Sequence, residues 1–166
     1  LLVLFFDNAN SPDARRMLDR TWTDDSVVAW LKDNAIALQV PATDTQMKAR
    51  YGIIWYPQTF LINPEGMHIL HKIEGHATAS ELVIGMSAAL LGGDRQSRPE
   101  EGDAADPLAW MAFGNYLFTN EPGRSIECLD AYLWCLDNGE KHIEGFRAYY
   151  LEFLMQRIAY LRSYTI

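Results

Sequence analysis

The sequence predicts an α/β domain, a mixed sheet flanked by helices, followed by a small all-α helical segment. Three observations carry this. Apolar runs of strand length, "LLVLFF" (1–6) and "AIALQV" (35–40), alternate with segments of helical composition. Two further strand-like runs, "QTFLI" and "MHILHKIEG", are separated only by the turn "NPEG". A polar stretch rich in Gly and Pro, residues 93–106, then precedes a region with helical spacing.

Each element follows from local chemistry. Residues 1–6 form a continuous apolar run, as expected of a strand covered on both faces. "NANSPD" is loop by composition, and Pro12 suits the first turn of the helix "ARRMLDRTW", with Ser11 as its cap. Asp24 or Asp25 caps a second helix, "SVVAWLKDN". After "AIALQV" and Pro41, "TDTQMKARYG" reads as a short helix, with Thr43 or Thr45 as cap and Gly52 as stop. The spacing of Thr78 and Glu81 is that of a capping box. It opens the helix "ELVIGMSAALL", which Gly92-Gly93 close. The order β-α-α-β-α-β-β-α implies parallel strands joined by crossovers, then an antiparallel hairpin.

The domain plan is therefore 1–92 for the α/β domain, 93–106 for a linker and 107–166 for a helical tail. Asp106-Pro107 restarts structure as cap and first helical residue. Helices are expected over 107–118, 124–137 and 142–162, broken at "TNEPGR" and "NGEKH". Phe146, Tyr149/Tyr150, Phe153/Leu154 and Ile158 have amphipathic spacing.

Composition excludes several function classes. Of the 166 residues, 49% are apolar, enough for a sizeable core. Net charge is −8, with an acidic excess in both 1–92 and 93–166, which argues against nucleic acid and anionic membranes as partners. No apolar run approaches the roughly 20 residues of a membrane-spanning helix, so membrane insertion is not expected. "LLVLFF" lacks the basic flank and cleavage site of a signal peptide. With no starting Met, the chain reads as a fragment or processed product.

Cys128 and Cys135, if on one helix, stand two turns apart, beyond the roughly 7 Å between Cα atoms that a disulfide spans. They read as reduced packing residues, and the compartment stays unassigned, with cytoplasmic favoured over periplasmic or secreted. No metal site is expected. His68 and His71 point to opposite faces of a strand, and no Cys/His spacing suits zinc. No phosphate loop appears, and no cofactor is expected.

The element order and the stretch "YGIIWYPQTFLINPEG" with "MHILHKIEG" resemble thioredoxin-like proteins, in particular the thiol-disulfide-exchange branch. The resemblance implies that Pro57 is a cis-proline and that Tyr56 before it offers backbone hydrogen bonds to an extended substrate chain. It also implies a C-x-x-C motif at the N-terminus of the first helix. Met17, Thr21-Trp22 and Asp24-Asp25 fit the surrounding frame, which places that motif on Ser11, Pro12, Asp13 and Ala14. Both thiols are absent. The tryptophan usual before the first cysteine is Asn10, and the acid usual in the preceding strand aligns with Phe5. Thiol-disulfide exchange requires a thiolate, which Ser11 does not provide.

"AWMAFGNYLFTNEPGRSIECLDAYLWCL" resembles one tetratricopeptide-type helical hairpin. Trp110, Phe113, Gly114 and Leu117 fit its first helix, and Cys128, Tyr132 and Cys135 its second. The expectation is a redox-inactive interaction or scaffold module. Trp55, Tyr56 and Pro57 would line a peptide groove, the partner would be a protein or extended peptide, and homo-oligomerisation through the tail is left open. Two enzyme readings stay open beside it. In one, the protein is an oxidoreductase with Ser11 and Ala14 replacing its cysteines. In the other, the chain belongs to a larger enzyme.

Overall fold

The structure, a computed structural model, describes residues 1–92, 98–100, 105–142 and 148–165. Most of the expected linker, together with Gly93 and Phe146, lies outside the described residues, as do the side chains of Tyr149, Tyr150 and Phe153. The chain divides into two compact units, Leu1–Met86 and Ser87–Ile166.

In the first unit the strands are β1 (Leu2–Asp7), β2 (Ile36–Pro41), β3 (Gln58–Asn63) and β4 (His68–Glu74). They form one sheet in the order β2-β1-β3-β4. β1 and β2 are parallel, while β3 is antiparallel to both β1 and β4. Alternation along β1 divides the core. Leu4 and Phe6 join Val40, Ile53, Phe60 and Ile62 on one face. Val3, Phe5 and Asp7 occupy the other.

Helix α1 (Pro12–Arg16) runs directly into a π-helical turn over Met17–Thr21. α2 is Asp25–Asn34 and α3 is Thr45–Tyr51. Asp24 caps α2 through Ser26 N, and Gly52 ends α3 at φ 63°, in the left-handed region that glycine tolerates. The cap of α3 corrects the expectation of a threonine. Asp44 accepts from Met47 N at 2.9 Å, and its carboxylate reaches the free N–H two residues inside the helix. α4 (Ala79–Gly92) opens on a reciprocal capping box. Thr78 N donates to Glu81 Oε2 at 2.8 Å, and Glu81 N donates to Thr78 Oγ1 at 3.3 Å.

The second unit holds α5 (Pro107–Asn120), a 3-10 turn (Pro122–Arg124), α6 (Ser125–His142) and α7 (Ala148–Thr165). The expected break at "NGEKH" is corrected, since α6 continues through it. Gly139 is buried, and the Asn138 amide donates back to Trp134 O at 2.9 Å, so packing outweighs the helix-breaking composition. Gly114 of α5 faces the Tyr132 ring of α6, and the tyrosine hydroxyl donates to Asn115 Oδ1 at 2.8 Å. Trp110 and Trp134 stack with ring centroids 5.3 Å apart. Leu154, Ile158 and Leu161 form the buried stripe of α7. Cys128 and Cys135 are free and buried, and they donate to the carbonyls of Gly114 and Pro107. Among the described residues, no helix is long and apolar enough to cross a membrane.

Candidate functional site

The end of β1, the start of α1 and the loop before β3 meet at one point. The chain leaves β1 through a turn built on Asn8, whose side chain accepts from Asn10 N and whose carbonyl accepts from Ser11 N. Ser11 is then the N-cap of α1. Its backbone is extended, its Oγ accepts from Ala14 N at 3.2 Å, and Pro12 takes the first helical position. The Ser11 hydroxyl also donates to the carbonyl of Tyr56 at 3.3 Å, 45 residues away. The structure thus brings the first motif position against the residue before Pro57. The Tyr56–Pro57 peptide bond is cis.

Three separate partners hold this loop by consecutive carbonyls. Trp55 O accepts from the Gln58 side chain at 3.1 Å, Tyr56 O from Ser11, and Pro57 O from Gly75 N at 2.9 Å. The N–H of Tyr56 makes no hydrogen bond among the described residues. Ile53 is buried, but the next two side chains turn outward, Ile54 being 85% exposed and Trp55 41%. Tyr56 packs on the apolar cluster and Pro57 is buried. Pro12 and Asp13 are exposed, and Asp13 forms an exposed pair with Arg16 at 3.6 Å. Ala14 is fully buried.

Below the motif, Met17 and Thr21 anchor the helix. Ala77 N donates to the Met17 sulfur at 3.1 Å, and the Thr21 hydroxyl donates to Ala77 O at 2.7 Å. The frame residues Met17 and Thr21 therefore have a shared job, fixing the motif helix to the segment before α4.

Three features escape the sequence reading. Ile54 is the most exposed apolar residue of the loop, and nothing in "GIIWYP" separates it from its buried neighbour. Asp7 is the second. The strand acid is absent at Phe5, yet Asp7 lies two residues on and so faces the same side of the sheet. Gln39 is the third, since its amide donates to Asp7 Oδ2 at 2.7 Å. The other Asp7 oxygen, Trp22 Nε1 and Thr59 Oγ1 are buried without partners. Phe5 pairs with Thr59 across the strands and packs on Trp22, its ring centroid 5.2 Å from the indole. The alternation rule makes the position of Asp7 readable; its bond to β2 requires the sheet order.

Chemically, the site contains no thiol. The Ser11 proton points to a carbonyl rather than a base, so nothing here activates the hydroxyl as a nucleophile. Beside it, the Tyr56 N–H has no hydrogen-bond partner among the described residues, and Ile54 and Trp55 are exposed.

No protein family matches the chain, and no curated protein matches it. Solved structures do match it. Among them is the solution structure of a thioredoxin from Thermus thermophilus, with a TM-score of 0.51 and 14% sequence identity. The match covers 55% of this chain and 75% of that one. Together with the mixed four-stranded sheet and its flanking helices, this shows a thioredoxin-like fold, followed by C-terminal helices.

Proposed function

We propose that this chain is a redox-inactive thioredoxin-like interaction module that holds an extended peptide at the Ile54–Pro57 loop. The observation that carries the reading is the Ser11 hydroxyl, spent on the Tyr56 carbonyl and the Ala14 N–H where exchange chemistry needs a thiolate. The neighbouring Tyr56 N–H and the exposed Ile54 and Trp55 support peptide capture, since backbone pairing plus one or two side-chain contacts is how extended peptides are held. The helical tail would be a second, tetratricopeptide-like interaction surface. The Gly114–Tyr132 contact supports that reading, because a glycine on the first helix lets an aromatic ring of the second close against it.

Two measurements test this. Insulin reduction by dithiothreitol should proceed at the uncatalysed rate with the protein present; faster turnover overturns the redox-inactive reading. Reduced, carboxymethylated insulin B chain serves as a generic extended peptide. It should bind the wild type, and Trp55→Ser should weaken binding by roughly fivefold or more, in line with loss of an aromatic contact. Equal binding by both proteins removes the loop from the proposal.

A further inference from the structure

Arg15, Arg16 and Arg20 fall within six residues, and no other six-residue stretch of this acidic sequence holds three basic residues. All three are exposed. Together with Pro12 and Asp19 they line an open cleft of about 590 Å³ on α1 and the π-helical turn. The turn accounts for the grouping. Trp22 N donates to Met17 O at 2.9 Å, five residues back, so side chains four and five positions apart share one surface. Arg20 stands in that relation to Arg16 and to Arg15.

Three guanidinium groups thus face one carboxylate in the cleft. Arg16 pairs with Asp13, which does not line it, at 3.6 Å. The side chains of Arg15 and Arg20 have no partner among the described residues. Arginines in the helical unit are engaged: Arg124 holds Glu121 and Glu127, and Arg157 lies over the Phe118 ring. Unpaired guanidinium groups in a cleft suit carboxylates, which their planar fork meets with two parallel hydrogen bonds.

The place of the cleft identifies its occupant. Pro12 in its wall directly follows Ser11, whose hydroxyl is bonded to the Tyr56 carbonyl. A helix rises about 1.5 Å per residue, which puts Arg15 and Arg16 roughly 6–8 Å along the axis from Ser11. An extended peptide advances about 3.3 Å per residue, so side chains a few residues from one seated at Tyr56 come within reach of the arginines. We propose that the peptide held at Ile54–Pro57 is acidic on one flank, and that Arg15, Arg16 and Arg20 receive its carboxylates. This rests on peptide binding at the loop and adds the class of sequence that the loop selects. The net charge of −8 repels acidic chains from the rest of the surface, so a local basic cleft fixes the direction in which the peptide lies.

Titration calorimetry on the full chain tests it with four synthetic peptides that share a Val-Thr-Val-Thr core. Two carry three glutamates, before the core in one and after it in the other, and two controls carry glutamines instead. One glutamate peptide should bind about fivefold or more tighter than its control at about 20 mM salt, and the gap should close at about 500 mM. Arg15→Gln/Arg20→Gln should remove the gap and leave the glutamine peptides bound as before. Lys32→Gln/Lys48→Gln removes the same charge at exposed positions of α2 and α3 and should keep it. Inorganic phosphate at about 10 mM, at constant ionic strength, should not displace the peptide. Equal affinity for glutamate and glutamine peptides overturns the proposal, and leaves the loop's role standing where Trp55→Ser still weakens both. A gap that survives Arg15→Gln/Arg20→Gln overturns it, as does displacement by phosphate, which would make the cleft a site for a free anion. An arginine-dependent gap with Trp55→Ser binding as the wild type removes the loop and keeps the cleft as an acidic-peptide site. Failure of all four peptides to bind overturns both.

Discussion

The Ser11 hydroxyl bridges two segments, accepting from the Ala14 N–H at 3.2 Å and donating to the Tyr56 carbonyl at 3.3 Å. One oxygen atom thus caps α1 and ties it to the loop before β3. Replacing Ser11 with Ala removes both bonds. An N-cap loss alone costs about 0.5–2 kcal/mol. Urea denaturation of Ser11→Ala should show a lower midpoint at an unchanged slope.

Introducing thiols at positions 11 and 14 tests the redox-inactive reading from the other side. In Ser11→Cys/Ala14→Cys, the sulfur at position 11 would take the place of an oxygen that already accepts a helix N–H. A hydrogen bond to the charged form favours it, so the new thiol should titrate below the ordinary value of about 8.5. The rate of iodoacetamide alkylation against pH reads this directly, and the double variant should accelerate insulin reduction where the wild type does not. Ala14 is fully buried, so its added sulfur should also lower stability slightly.

In the helical unit, a Cβ at Gly114 would stand 2.9 Å from Tyr132 Cε1 and 3.1 Å from Cδ1. The ring cannot simply swing away, because its hydroxyl is bonded to Asn115 inside the packed interior. Gly114→Ala should therefore destabilise this unit by about 1–3 kcal/mol, although alanine is the better helix former. A thermal melt should show a fall of several degrees, on the order of 4–8 °C per kcal/mol for a unit this small.

Burial pushes the Cys128 thiol up to about 12 and raises Cys135 in the same direction. The native thiols should react with Ellman's reagent at pH 8 only as fast as the unit opens, and immediately in denaturant. The effect on stability follows from linkage. An unfolded cysteine ionises near 8.5, while the folded one stays protonated, so the unfolded state holds fewer protons above that pH. Stability is fully present below about pH 8.5 and should fall as pH rises from there toward 12. Denaturation midpoints between about pH 7 and 10 check the sign.

Signals confined to one turn were legible in the sequence. Ser11 with Pro12, Asp24, Gly52 and the Thr78–Glu81 box each declare a helix end through residues a few positions apart. What failed depends on neighbours the sequence does not name. The run "AIALQV" reads as a strand and is one, but an apolar pattern cannot say that β1 is its one neighbouring strand among the described residues. "NGEKH" reads as a break because the burial of Gly139 is a tertiary fact. At the site, the missing thiols were plain. The Ser11–Tyr56 bond was not, since it joins residues 45 apart through a backbone carbonyl that carries no side-chain signature.

The loop at 55–57 has a property useful to protein engineering. Its three consecutive carbonyls are tied to Gln58, Ser11 and Gly75, which lie in three different parts of the chain. Redundant fastening of this kind gives mutational tolerance, because deleting one tie leaves two. The outward pair Ile54 and Trp55 is thereby free to vary without disturbing its own mounting, which makes that pair a natural place to randomise when selecting new binders on this scaffold.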